Sequence, residues 1–273
     1  MKVSDLPIIF VENPTSRAYL KVLMDKNIFD TNIIYLNQTY SIGFLERLNF
    51  KTINHYPIHF LKIKEIKYLI DQIEDFFGLD RDFLKNMYDF KNIKHFDNIF
   101  KLNSSSINSE ETISFLNRHK GTCYLNTGKE ILKNVFHTNK SFFHIHPGYL
   151  PQVKGADGSL HSIDKFNEVG CSFFKMNRKI DDGKILNRIK LDFKHLDFKN
   201  LKNYSAKDLY RIWFSFFDPA LRAYMFKNLI ESNQDLNDLK LHKSYDDEES
   251  NYYSFMSEDR KQKIFSKIFK NAQ

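Results

Sequence analysis

The strongest constraint on the fold lies near the start of the chain, where an apolar run, a turn cluster, an amphipathic segment and a second apolar run follow one another between residues 7 and 36. Pro7-Ile8-Ile9-Phe10-Val11 has the unbroken apolar character of a strand covered on both faces. Glu12-Asn13-Pro14-Thr15-Ser16 supplies turn and cap residues, and the segment after it turns Ala18, Leu20, Leu23 and Met24 to one side of a helix. Asn32-Ile33-Ile34-Tyr35-Leu36 is the next strand. Strand, helix, strand in this order predicts an α/β fold with an open, mostly parallel sheet, whose ligand sits beyond the C-terminal ends of the strands.

The rest of the chain fills in around that unit. Residues 40–98 carry apolar residues at helical spacing (Ile63, Ile66, Leu69, Ile70, Ile73, Phe76, Phe77) and no chemical motif, which predicts a helical insertion. Short apolar runs at Ile99–Leu102, Gly121–Leu125 and Phe142–His146 return to the sheet, with a helix capped by Asn108 or Ser109 and a short helix over 130–136 between them. From about residue 205 the pattern is helical: Leu209, Ile212, Trp213, Phe216 and Phe217, then a second helix after Asp218-Pro219, then an amphipathic segment from Glu258 to Phe269. The expected division is an α/β domain over 1–200, with its insertion at 40–98, and a helical extension over 201–273.

Composition narrows the class. Of 273 residues 42% are apolar and 15% aromatic, too many for a disordered chain. The net charge of +7 comes from Lys interspersed with Asp and Glu, so it favours solvated faces over a nucleic-acid stripe and admits anionic small molecules as partners. Cys123 and Cys171 stand alone, without the spacing of a disulfide framework or a zinc site, and no bound metal is expected. The first apolar run is too short for a signal sequence and no stretch is long enough to span a bilayer, so the cytoplasm is the expected compartment.

Chemistry concentrates between Phe142 and Leu186. In His144-Ile145-His146-Pro147-Gly148-Tyr149-Leu150-Pro151 two imidazoles lie two residues apart, on one side of a strand, and Pro147-Gly148 ends that strand. Lys154-Gly155-Ala156-Asp157-Gly158 follows as a flexible loop. From His146 to Asp181 there are 35 positions, and Ile180-Asp181-Asp182-Gly183-Lys184-Ile185 places a carboxylate in a turn where it can orient an imidazole.

These ordered elements resemble the 10-formyltetrahydrofolate-dependent formyltransferases, whose signature is Asn-x-His-Pro-Ser-x-Leu-Pro, a Gly-containing loop, and Asp-x-Gly-x-Ile about 35 residues on. The resemblance implies a Rossmann-like formyltransferase fold and assigns catalysis to His144, His146 and Asp181. It places the folate against Leu125, Asn126, Thr127, Gly128 and Ile180, and the acceptor near Asn13 and Arg17. Lys154 is, with Arg17, a candidate for holding anionic groups of the acceptor, and Asp157 either shapes its loop through an Asx-turn or touches the substrate. Two positions depart from the signature: His144 stands where the family has Asn, and Gly148 where it has Ser. An imidazole can still donate to a developing oxyanion.

The implied reaction moves a formyl group to the amine of a small acceptor, most simply a nucleotide-linked amino sugar; a hydroxyornithine-like or ribonucleotide amine is the other acceptor class. Methionyl-tRNA is disfavoured because the residues after Asp181 read helical, whereas tRNA-directed members carry a β-rich module there. A formyltransferase-fold protein that binds without turnover is the rival reading, and the aromatic C-terminal segments could bury a homodimer face.

Overall fold

The computed structural model describes residues 2–37, 59–233, 235–236 and 248–270. Strand β1 (Ile8–Val11), helix α1 (Pro14–Asp25) and strand β2 (Ile33–Leu36) form the expected unit, with the two strands parallel and Ile8 opposite Ile33. Asn13 starts the helix: its side chain accepts the Ser16 N–H at 2.9 Å, and Pro14 follows where a missing N–H costs nothing. After α2 (Lys64–Phe77) and α3 (Phe83–Asn86) the chain enters β3 (Ile99–Leu102), then α4 (Glu110–Arg118), β4 (Cys123–Asn126) and β5 (Ser141–His146). A two-residue strand β6 (Lys154–Gly155) and helix α5 (Gly158–Phe166) precede the long pair β7 (Glu168–Lys175) and β8 (Lys184–Asp192).

The central sheet has seven strands in the order β3-β2-β1-β4-β5-β7-β8. It is parallel from β3 to β5, and β7 runs antiparallel to both of its neighbours. The order reverses between β1 and β4, which opens a crevice at the strand ends on that side of the sheet. Alternation along β1 sends Ile8 and Phe10 into one apolar layer and Ile9 and Val11 into the other, so both faces are covered.

Two elements differ from the sequence expectation, and a third lies partly outside the described residues. The helix expected over 130–136 is a single 3-10 turn at Asn134–His137. In the insertion, residues 38–58 lie outside the described residues, while α2 and α3 are present; buried Glu74 fixes the corner between them by accepting the backbone N–H groups of Asp82 at 3.0 Å and Leu84 at 2.7 Å. Burial still outweighs those bonds and pushes its carboxyl up to about 7. Finally, the break expected at Asp218-Pro219 is absent.

Beyond the sheet come β9 (Leu196–Asp197), α6 (Ala206–Ile212), α7 (Asp218–Glu231), β10 (Tyr252–Tyr253), α8 (Glu258–Ile268) and β11 (Phe269–Lys270). Helix α6 runs into α7 through one wide π turn, Trp213–Phe217. Pro219 has no N–H to offer the carbonyl of Ser215, and that oxygen accepts the hydroxyl of Tyr88 at 2.6 Å. The continuous helix packs on α1, with the rings of Tyr19 and Phe226 4.9 Å apart, and lies beside β5 and β7. Residues beyond 200 therefore share the core of the sheet and reach its functional edge.

Candidate functional site

Strand β5 carries His144 and His146 at its C-terminal end, with Ile145 between them buried in the core. Pro147 and Gly148 stop the strand, and the loop after them folds back so that the Val153 carbonyl lies 2.9 Å from Nε2 of His146. A carbonyl can only accept, so His146 carries its proton on Nε2. Its Nδ1 lies 3.5 Å from Oδ2 of Asp181. The same carboxylate oxygen accepts the Gly155 N–H at 2.9 Å, so the turn before β8 is tied to the loop after β5 through the acid.

Gly148 is required by this packing. A Cβ at that position would sit 2.6 Å from Nε2 of His146 and 2.7 Å from the Val153 oxygen. The Ser of the signature that this stretch resembles has no room here without a shift of the imidazole or of Val153. Gly155 answers a similar constraint: its φ is +93°, and a Cβ would fall 2.1 Å from the Tyr253 carbonyl. This close approach lets β10 pair with β6, Tyr252 opposite Lys154 and Tyr253 opposite Gly155, as a strap over the loop.

His144 differs from its neighbour in electrostatics. Its Nδ1 lies 2.9 Å from the carbonyl of Asn126 and donates to it, and its Nε2 lies 3.2 Å from Nη1 of Arg222 on α7. Burial, reinforced by the Arg222 guanidinium, pulls its pKa down to about 4, so the ring is neutral with its single proton on Nδ1. Arg222 also donates to the carbonyl of Ile145 and, through Nε, to Asp218 at 2.8 Å.

A cavity of about 320 Å³ opens on this cluster, and His144, His146, Asp181 and Arg222 all line it. One wall is apolar (Ile131, Phe174, Met176, Ile180) and the rim carries Lys129, Arg178 and Lys179. Tyr210, Phe214 and Phe255 close the side nearest the C-terminal helices. Among the described residues no group of three or more His, Cys, Asp or Glu side chains could hold a metal ion.

The structure brings His144, His146 and Asp181 together, with Gly128, Asp157 and Ile180 also in the cavity wall. Leu125, Asn126 and Thr127 lie behind that wall: Leu125 is in the core, Thr127 donates its hydroxyl to the Ile9 carbonyl at 2.7 Å, and Asn126 meets the site only through its carbonyl. Asp157 is held by the Tyr210 hydroxyl at 2.7 Å and the Met256 N–H at 2.9 Å. Lys154 pairs with Asp182. Asn13 caps α1, and Arg17 is paired with Glu12 at 2.5 Å and stacked 3.8 Å over Phe90, lining a separate small hollow.

Sequence reasoning missed Arg222, Asp218 and the aromatic closure. The available signal was an Asp and an Arg four apart in the otherwise apolar run Asp218-Pro219-Ala220-Leu221-Arg222-Ala223-Tyr224-Met225-Phe226.

No family model matches the chain, and no curated protein matches it. Solved structures do. A sugar N-formyltransferase from a Shewanella species is 16% identical, with 91% of this chain and 76% of that chain covered at a TM-score of 0.47. A 4-N formyltransferase from Francisella tularensis is 13% identical, with 96% and 86% covered at 0.49. An N-formyltransferase from Helicobacter canadensis, in complex with folinic acid and dTDP-3-aminofucose, is 15% identical, with 89% and 68% covered at 0.45. These structures are formyltransferases, the family that the sequence around His146 resembles.

Proposed function

We propose that this chain transfers a formyl group from 10-formyltetrahydrofolate to the amine of a nucleotide-linked amino sugar. The observation that carries the reading is the placement of His146 at the end of β5, bonded to the Val153 carbonyl and 3.5 Å from Asp181, beside an open cavity. The cavity's apolar wall fits a flat ring system, and the lysines and arginine of the rim attract the carboxylates of a folate tail or the phosphates of a nucleotide. The donor supplies an activated formyl carbon whose leaving atom is a nitrogen.

The chain's own residues then manage one proton and one developing charge. The acceptor amine forms a bond to the formyl carbon as the bond from that carbon to the folate nitrogen breaks. The amine loses a proton, the folate nitrogen gains one, and nothing is oxidised or reduced. The His146–Asp181 pair is the general base and acid for that exchange, with Asp181 balancing the charge on the ring when Nδ1 takes the proton. Gly155 fixes the carboxylate in place through its N–H.

The test is a panel of dTDP- and UDP-linked amino sugars incubated with the purified chain and 10-formyltetrahydrofolate, followed by tetrahydrofolate release and product mass. Turnover of at least one sugar that is lost in His146→Ala supports the reading; folate binding with no turnover of any amine refutes it. The rival, a binding protein without activity, is favoured by one observation: neutral His144 has its only N–H committed to Asn126.

A further inference from the structure

A formyl oxygen that gathers negative charge needs a donor, and the family signature supplies one as the amide of the Asn that His144 replaces. His144 cannot take over that duty as it stands. Its Nδ1–H is spent on the Asn126 carbonyl, and its Nε2 presents a lone pair that receives an N–H from Arg222. Moving the proton to Nε2 would leave the Asn126 carbonyl without its donor and set an N–H against an N–H. Charging the ring instead would put a second cation beside a buried guanidinium.

Arg222 has what the imidazole lacks. A guanidinium carries five N–H groups in a fixed plane. Nε–H goes to Asp218, and Nη1 serves His144 and the Ile145 carbonyl. The two on Nη2 make no geometric hydrogen bond among the described residues, and the buried Tyr19 hydroxyl, which also lacks one and interacts with this guanidinium, is the protein group that competes for them. The side chain lines the cavity and keeps 12% of its surface accessible, while Asp218 beneath it is 5% accessible. Three anchors thus fix the plane of the group, and the Nη2 hydrogens are the ones a ligand in the cavity can take. A cation preorganised in this way needs no reorganisation as charge develops, which is the condition for strong oxyanion stabilisation.

We propose that Arg222 donates to the formyl oxygen in the transition state, and that His144 is a positioning residue whose Nε2 accepts from Arg222 and aims it. The replacement of Asn by His is then a transfer of the oxyanion duty from β5 to α7. This rests on the formyl-transfer reading, and it specifies how that site works without the amide.

Two readouts test it. The first is binding, by titration calorimetry, of a stable 10-formyl folate analogue and its 10-methyl counterpart to the wild-type chain, to Arg222→Gln and to Arg222→Lys. The wild-type chain is expected to prefer the formyl compound by roughly tenfold or more, with the preference reduced in Arg222→Lys and lost in Arg222→Gln. An equal preference in all three overturns the assignment. If Arg222→Gln fails to fold, the comparison with Arg222→Lys decides by the same criterion.

The second readout is kinetic. Arg222→Gln is expected to lower kcat by roughly 10²–10³ with a donor KM within about threefold of wild type. Adding His144→Asn, which restores the amide of the signature, should recover part of that loss. Undiminished kcat in a folded Arg222→Gln variant overturns the role of Arg222 and leaves formyl transfer intact, whereas a wild-type chain that binds neither analogue removes both.

Discussion

Gly148→Ser restores the residue that the formyltransferase signature carries at this position, and in this chain it is expected to damage the site. The added Cβ would lie 2.6 Å from Nε2 of His146 and 2.7 Å from the Val153 oxygen, both well inside van der Waals contact. Neither neighbour is a flexible tip. His146 is 4% accessible and bonded through Nε2 to the Val153 carbonyl, and Val153 is buried in the loop that carries Gly155. Overpacking of this kind costs about 1–3 kcal/mol. Displacing the ring also gives up the Val153 hydrogen bond, a further ~0.5–1.5 kcal/mol. For a chain of this size the sum corresponds to a fall in Tm of roughly 3–9 °C.

Thermal melting followed by circular dichroism measures the loss. Formyl-transfer activity, assayed well below the melting transition, should fall by a larger factor than stability alone explains, because His146 no longer meets Asp181. A Gly148→Ser protein that melts within ~2 °C of wild type and keeps its activity would show that the imidazole is not seated by the missing side chain.

Asp181→Asn keeps the turn, since Asn tolerates the left-handed backbone found there at φ 49°, but it removes the charge that balances His146; kcat is expected to fall roughly 10²–10⁴-fold with the fold unchanged. Glu74 titrates near 7 in the folded chain against about 4.5 unfolded, so its contribution to stability is full below about 4.5 and is lost as pH rises through 7. Urea melts at pH 5 and pH 8 should therefore show a smaller difference in Glu74→Gln than in wild type, and an equal difference would count against burial as the cause. Gly155→Ala drives a methyl into the Tyr253 carbonyl and should release the strap, which limited proteolysis near residues 250–255 reports as faster cleavage.

The fold was legible where a single element declares itself. The apolar run at Pro7–Val11 and the cap at Asn13 announce β1 and α1 without help from the rest of the chain. His146 and Asp181 were legible as a pair through the order and spacing of a motif. What stayed hidden was non-local. Nothing in residues 13–17 shows that Arg17 will be taken by Glu12 and Phe90 rather than face a cavity. Pro219 reads as a helix break, because the Tyr88 hydroxyl that satisfies the freed Ser215 carbonyl comes from 127 positions away. Arg222 was invisible for the same reason: an arginine in an apolar helix acquires meaning only when tertiary packing sets it against an imidazole from another element.

The strap has a consequence for synthesis. Phe255 borders the cavity, and Tyr253 clasps the loop that holds Asp181, so a nascent chain exposes an unfinished pocket until residues 252–255 have left the ribosome tunnel. A product terminated ahead of that segment should possess the sheet yet remain inert.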